Sequence, residues 1–187
     1  VMRESLFSRL AGKHPKLLSV KLDGATKEDY VWGLRVAFAT FSATGGSAVH
    51  EALEKKAAGC IRGTVSNASH LSQTLLLNAM NDTKYKAEKE QKFNVLKSRA
   101  LRVKEILTQP GYNEAWTPYP FNSGYFMCIR LKNLDAETFR LRLLDDYGIG
   151  VIATSPTDIR IAYSCIEEKE LPDLFEKMFE CALKMTR

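Results

Sequence analysis

Lys27 and Arg35 are the side chains whose types and spacing most invite chemistry. They lie in Asp23-Gly24-Ala25-Thr26-Lys27-Glu28-Asp29-Tyr30-Val31-Trp32-Gly33-Leu34-Arg35, where the lysine follows a threonine and the arginine comes eight positions later. A lysine amine can form an imine with an aldehyde once its surroundings release the neutral form. Arginine offers a planar fork of donors matched to a phosphate, and the Thr26 hydroxyl can add to the same anion. Gly33 lets backbone pass close to a ligand or take a turn that a side chain forbids. Taken alone, a lysine in a polar loop is more often solvated than catalytic, and an arginine at a strand end more often sits on the surface or in an ion pair.

Arg160 qualifies on type as well. In Asp158-Ile159-Arg160-Ile161-Ala162-Tyr163-Ser164 the isoleucines and Tyr163 alternate with Arg160, Ala162 and Ser164, which places the guanidinium on the face opposite the isoleucines, able to point into a cleft. A bidentate guanidinium is the natural clamp for a planar carboxylate, and the competing reading is an edge-strand arginine facing water. Arg62, in Arg62-Gly63-Thr64-Val65-Ser66-Asn67, reads as a loop arginine between two helices. His14, His50 and His70 are far apart with no ligand at metal spacing, so no metal site is expected.

The elements that must position these groups follow from periodicity. Residues 17–22 read as a short buried strand followed by turn residues Asp23 and Gly24, and residues 33–41 as a second strand rich in β-favouring side chains. The connection between them is too short for a crossover helix, so the two either run antiparallel or are not immediate neighbours. Leu6, Phe7 and Leu10 line one face of an opening helix. Residues 49–58 and 69–80 have helical character, separated by a small-residue stretch at 59–68. From 84 to 107 the apolar positions Phe93, Leu96, Ala100, Val103 and Leu107 step by three and four, which predicts a long amphipathic helix ended by Pro110 and Gly111. Strands are expected at 125–131, 149–153 and 158–164. A helix runs between Asp135 as N-cap and Gly148 as its terminator, and a last amphipathic helix carries Leu171, Leu174, Phe175, Met178, Phe179 and Ala182.

Composition narrows the partners. The chain has 187 residues and 45% apolar content, enough for a real core of one or two domains. Net charge is +5, from 27 basic against 22 acidic side chains, scattered without a block. Nucleic-acid binding is not expected, because no basic stripe is interleaved with aromatics, whereas phosphate-bearing small molecules fit. Cys60, Cys128, Cys165 and Cys181 form no framework and read as reduced, mostly buried thiols. Neither a membrane span nor a signal peptide is evident, and the cytoplasm is the default location.

The lysine segment resembles the active-site segment of the class I/II aminotransferases, enzymes of fold type I that use pyridoxal 5′-phosphate. In that segment a lysine preceded by Ser or Thr is followed eight positions later by an arginine, with a glycine shortly before it. The resemblance implies that Lys27 carries the cofactor as a Schiff base and that Thr26 and Arg35 hold its phosphate. It implies that Arg160 binds the substrate's α-carboxylate. It further implies that Arg62 reaches across a homodimer interface to a substrate side-chain carboxylate, although Ala68 stands where such members usually have proline. Val36 and Ala37 replace a common glycine and Gly24 a frequent phosphate-binding hydroxyl, which implies weaker phosphate affinity. Ser123-Gly124-Tyr125-Phe126 fits the first strand of the small domain.

The resemblance runs through essentially the whole chain and implies an α/β architecture, the C-terminal part of a fold-type I enzyme. Residues 1–83 would be the end of the large cofactor-binding domain with its interface helices, 84–116 the interdomain helix and linker, and 117–187 the small C-terminal α/β domain. The opening Val1-Met2-Arg3-Glu4 reads as the start of a fragment. The preceding half would then supply the aspartate on the pyridine nitrogen, the aromatic that stacks on the ring, and a phosphate-binding loop. The implied reaction moves an amino group between an amino acid and a 2-oxo acid. Two alternatives share the pattern: another fold-type I activity (lyase, decarboxylase or condensing acyltransferase), or a catalytically silent, self-associating domain.

Overall fold

A computed structural model describes residues 4–122 and 124–186. In chain order the elements are α1 (Leu6–Leu10), β1 (Ser19–Gly24), α2 (Ala25–Glu28), a 3-10 turn (Trp32–Leu34), β2 (Ala37–Ser42), α3 (Gly46–Thr64), α4 (His70–Asn81) and α5 (Tyr85–Leu107). There follow α6 (Tyr112–Ala115), β3 (Trp116–Pro118), β4 (Met127–Leu131), α7 (Ala136–Tyr147), β5 (Ile152–Ala153), β6 (Asp158–Ile161), two 3-10 turns (Tyr163–Cys165 and Glu168–Glu170) and α8 (Leu171–Thr186). The chain forms two compact units, the first up to Lys89 and the second from Glu90, so the division falls inside α5.

The first unit is built on an antiparallel hairpin, β1 against β2, registered from Ser19↔Ser42 to Gly24↔Ala37. Its buried apolar residues are Ala25, Val36 and Leu76, with Val31 and Leu34 packed against them. Val20 and Leu22 lie on one face of β1 and remain 48% and 78% exposed. The long α3 buries none of its side chains and α4 only Leu76. A two-stranded hairpin is marginal by itself in water, and this unit leaves large apolar side chains such as Val20, Leu22 and Trp32 exposed.

The second unit has an ordinary core. Its antiparallel sheet has the order β3-β4-β6-β5. Met127, Ile129 and Leu131 of β4 and Ile159 and Ile161 of β6 alternate inward, where they meet Phe139 and Leu143 of α7, Phe175 and Met178 of α8, and Ala100, Val103 and Ile106 of α5. Each such large side chain contributes about 1.5–3 kcal/mol on burial. The Asp135 carboxylate accepts from the Thr138 amide at 2.9 Å and its hydroxyl at 2.7 Å, which holds that carboxyl below the usual range and caps α7. Gly148, at φ 65°, ends the helix in the left-handed conformation that glycine adopts without a side-chain penalty.

Several sequence expectations need correction. Asp23 and Gly24 are not turn residues but the last residues of β1, paired with Phe38 and Ala37. The second strand starts at Ala37, not at residue 33, because β1 ends at Gly24 and offers no partner for anything earlier on the returning chain. Helix α3 runs through Gly59 to Thr64: a mid-helix glycine costs about 1 kcal/mol relative to alanine but does not stop a helix. The strands foreseen at 149–153 and 158–164 shrink to Ile152–Ala153 and Asp158–Ile161, the latter giving way to a 3-10 turn at Tyr163. Strand β4 begins at Met127, so Gly124, Tyr125 and Phe126 precede it, while Ser123 lies outside the described residues. Along α5 Phe93 is 54% exposed and Ile106 is buried, since the apolar stripe runs on past the part of the helix that the core covers. Of the free thiols only Cys181 is buried, Cys128 is half-buried, and Cys60 and Cys165 are exposed. Among the described residues no helix is long and apolar enough to cross a membrane.

This uneven burial sets an expected outcome for truncations measured by denaturant unfolding. Phe139→Ala, in the second unit's core, should cost about 3–5 kcal/mol. Leu22→Ala should change stability by less than about 0.5 kcal/mol. Comparable losses at both positions would mean that Leu22 is covered in solution.

Candidate active site

Residues 25–36 connect the two strands of the hairpin, and both ends of the connection are fixed by the pair Gly24↔Ala37. Paired residues on antiparallel strands lie about 5 Å apart, so the chain leaves the sheet and returns to it at one place. Lys27 is the third residue of α2, whose first residue, Ala25, is buried. Arg35 follows the 3-10 turn at φ 54° and ψ 40° and feeds Val36 into the core ahead of β2. The hairpin thus carries Thr26, Lys27 and Arg35 on one connection, with Thr26 half-buried and the amine and guanidinium residues exposed.

The connection is strained at two points. Tyr30 (φ 59°) and Arg35 (φ 54°) are both left-handed, two of four such non-glycine residues among those described. Each costs about 1–3 kcal/mol and persists only where surrounding structure over-determines it, a pattern that concentrates at functional sites. Gly33, expected to supply an unusual turn, sits in the 3-10 turn with open space where a Cβ would stand. Tyr30 and Arg35 make the left-handed turns in its place.

A cluster that sequence patterning missed holds the far end of α2. The Asp29 carboxylate, 6% exposed, accepts from the Tyr85 hydroxyl and from Lys89 Nζ at 2.7 Å, and Lys89 Nζ lies 3.3 Å from the Tyr85 oxygen. The Asp29 amide donates to the Ala25 carbonyl at 3.0 Å, closing the turn that contains Lys27. Tyr85 and Lys89 stand four apart on the first turns of α5, a spacing that puts both on one helix face, and this i,i+4 pair was the available signal. The hydrogen bond to Asp29 is the main cause that raises both the Lys89 ammonium and the Tyr85 phenol above their ordinary ranges.

The other arginines lie elsewhere. Arg62 is in the last turn of α3, not in a loop, and its guanidinium donates to Ser66 Oγ at 2.8 Å. Arg160 is in the second unit, in β6, registered against Cys128 and Ile152. Its guanidinium lies 4.8 Å from the Phe126 ring centroid, a cation–π contact that orients the planar group. Among the described residues no group of three or more His, Cys, Asp or Glu could hold a metal ion.

The sequence model of the class I and II aminotransferases matches residues 20–178, most of the chain. The chain belongs to that family. Solved aminotransferases share its fold. An aminotransferase from Anaerococcus prevotii superposes with a TM-score of 0.73 at 24% identity, over 92% of this chain and 41% of its own. LysN, the α-aminoadipate aminotransferase of Thermus thermophilus, solved with N-(5′-phosphopyridoxyl)-L-leucine, gives 0.67 at 17% over 89% of this chain and 42% of its own. Aspartate aminotransferase from Thermotoga maritima gives 0.64 at 16%, over 86% and 39%. The present chain therefore spans about two fifths of the length of the aminotransferases it matches. No curated protein sequence matches it.

The aminotransferase family uses pyridoxal 5′-phosphate, and the donor set on residues 25–36 fits that group: a primary amine for an aldehyde, and a hydroxyl with a guanidinium for a phosphate.

The Asp29 cluster carries a pH signature. Lys89 and Tyr85 bind their protons more tightly folded than unfolded, so their contribution is complete below the unfolded values and is lost as pH rises through the raised, folded ones. Denaturant unfolding should therefore show the parent losing more stability between about pH 8 and about pH 11 than a Tyr85→Phe, Lys89→Met double variant, as the pH climbs through the ordinary Tyr and Lys values and beyond. Parallel losses in the two proteins would remove the tie.

Proposed function

We propose that this chain is the C-terminal part of a pyridoxal-phosphate-dependent aminotransferase and that Lys27 is the residue to which the cofactor is attached. The observation that carries this reading is the placement of Lys27 and Arg35 on one strained connection closed by Gly24↔Ala37, in a chain of the class I and II family. On this reading residues 1–83 are the end of the large domain, 84–116 the interdomain helix and linker, and 117–187 the small domain. The remaining contacts to the cofactor ring come from protein outside this chain, and the whole enzyme works as a homodimer on amino acids and 2-oxo acids.

When bound, the cofactor supplies an aldehyde that takes up an amino group and a ring that accepts the electron pair left by a departing proton. Arg35 and Thr26 grip the phosphate and so fix the distance from that anchor to the Lys27 amine. Lys27 Nζ would hold the aldehyde, and the same Nζ, placed beside the substrate α-carbon, would accept its proton as a general base. Arg160 clamps the α-carboxylate with two parallel donors, its plane set by the stack on Phe126. Arg62, at the exposed end of α3, is the candidate for a side-chain carboxylate on a substrate bound to the partner subunit.

A second reading, a catalytically silent domain that self-associates, is favoured by one observation: the exposed apolar residues of the first unit, Val20, Leu22 and Trp32 among them. Borohydride reduction after incubation with pyridoxal 5′-phosphate separates the two. The aminotransferase reading expects the reduced label on Lys27 by peptide mapping, no label there in Lys27→Ala, and roughly ten- to hundredfold weaker cofactor affinity in Arg35→Gln, the loss of a charged hydrogen-bonding partner of about 1.5–3 kcal/mol. Label on other lysines with none on Lys27 would refute the assignment.

A further inference from the structure

The amine proposed to hold the cofactor sits in a helix too short to hold itself. Helix α2 is one turn, Ala25–Glu28, and isolated helices shorter than about 12–15 residues are marginal in water, so its conformation is imposed from its two ends. At the start, Ala25 is 1% exposed and packs with Val36 and Leu76. At the finish stands Asp29, whose backbone N–H closes the turn on Ala25 and whose carboxylate is less exposed than the Lys89 side chain it pairs with. A carboxylate withdrawn from water is costly unless it is paired and hydrogen-bonded, and here both conditions are met on one oxygen, Oδ1, by a phenol and an ammonium. The next residue, Tyr30, is left-handed, so the strained backbone directly follows the pinned carboxylate.

Resting on the reading of Lys27 as the attachment lysine, we propose that Asp29 is a positioning residue for it. The carboxylate, clamped by Tyr85 and Lys89, anchors the end of the turn and so sets where the Lys27 amine is presented to an aldehyde. Neither Tyr85 nor Lys89 is assigned any contact with cofactor or substrate; both act through Asp29. The charge pairing makes the clamp selective among substitutions. Arginine at position 89 keeps the cation, whereas alanine removes it from the carboxylate.

The test uses the intact protein that contains this chain, with pyridoxal 5′-phosphate as probe, borohydride trapping and peptide mapping. Lys55, an exposed lysine on α3, serves as internal reference, and amide deuterium exchange is followed over residues 25–29. In Asp29→Ala and Lys89→Ala the trapping rate at Lys27 should fall on the order of tenfold relative to Lys55, with faster exchange at 25–29, because small displacements of a reacting group carry large rate costs. Lys89→Arg should restore both readouts toward the parent. Lys27 trapping that is unchanged in Asp29→Ala overturns the positioning role and leaves the attachment reading standing. A parent in which Lys27 is never trapped overturns both. A fall shared equally by Lys27 and Lys55, with a lowered melting temperature, reduces Asp29 to a general stability residue and overturns the proposal.

Discussion

The pairing of Gly24 with Ala37 is the constraint on which the candidate site depends. An antiparallel ladder has a side-chain period of two, so its register admits no intermediate settings, and a slip of one residue would turn every side chain of β2 to the opposite face. With the register set, residues 25–36 begin and end at one point on the sheet. The lysine and the arginine therefore belong to the same excursion of the chain whatever conformation lies between them. The remaining freedom is taken up by the burial of Ala25 and Val36 at the two feet and by the Asp29 cluster near the middle. The site is thus specified by a few anchoring contacts and not by a regular element that extends through it.

The two compact units solve the problem of burial differently. In the second, sheet and helices close over a continuous core that includes the fully buried Trp116, Tyr163, Phe139 and Phe175, and local preferences such as the Asp135 cap and the Gly148 terminator agree with the fold. In the first, the buried apolar residues are Ala25, Val36 and Leu76, helix α3 contributes none, and the hairpin shows Val20 and Leu22 to solvent. Burial scales with the amount of chain available to cover a surface, and the present chain spans about two fifths of the length of the aminotransferases it matches.

That difference also explains how much of the fold could be read in the sequence. The second unit was largely legible: the alternation of Ile159, Ile161 and Tyr163 against Arg160, the cap at Asp135 and the apolar face of α8 all correspond to what is buried and capped. Those signals are strong because a complete core enforces them. In the first unit patterning failed where nothing tertiary enforces it. The small-residue stretch from residue 59 looked like a separation between helices and lies within α3 as far as Thr64, and β-favouring composition around Leu34 suggested a strand where the closed ladder leaves none. The chemistry-bearing spacing of Lys27 and Arg35 was visible at once, since it is local. The Asp29 cluster was not, because it joins residues 29, 85 and 89 through a fold that composition does not encode.

Strain ties these levels together. Two left-handed residues, Tyr30 and Arg35, bracket the 3-10 turn, at about 1–3 kcal/mol each, a cost comparable to burying one or two large apolar side chains. The first unit has little burial to spare, so the distortion has to be sustained by strong local contacts. A charge-assisted hydrogen bond from Lys89 to a carboxylate that is 6% exposed is one such contact, worth roughly 1.5–3 kcal/mol where water is excluded and less on the exposed ammonium side. Without it the chain from 29 to 35 would be freer to relax toward ordinary right-handed geometry, and the amine of Lys27 and the guanidinium of Arg35 would lose part of what fixes their relation. The strain at Tyr30 and Arg35 is therefore offset in part by an acidic side chain that the connection withdraws from water and pairs with Lys89.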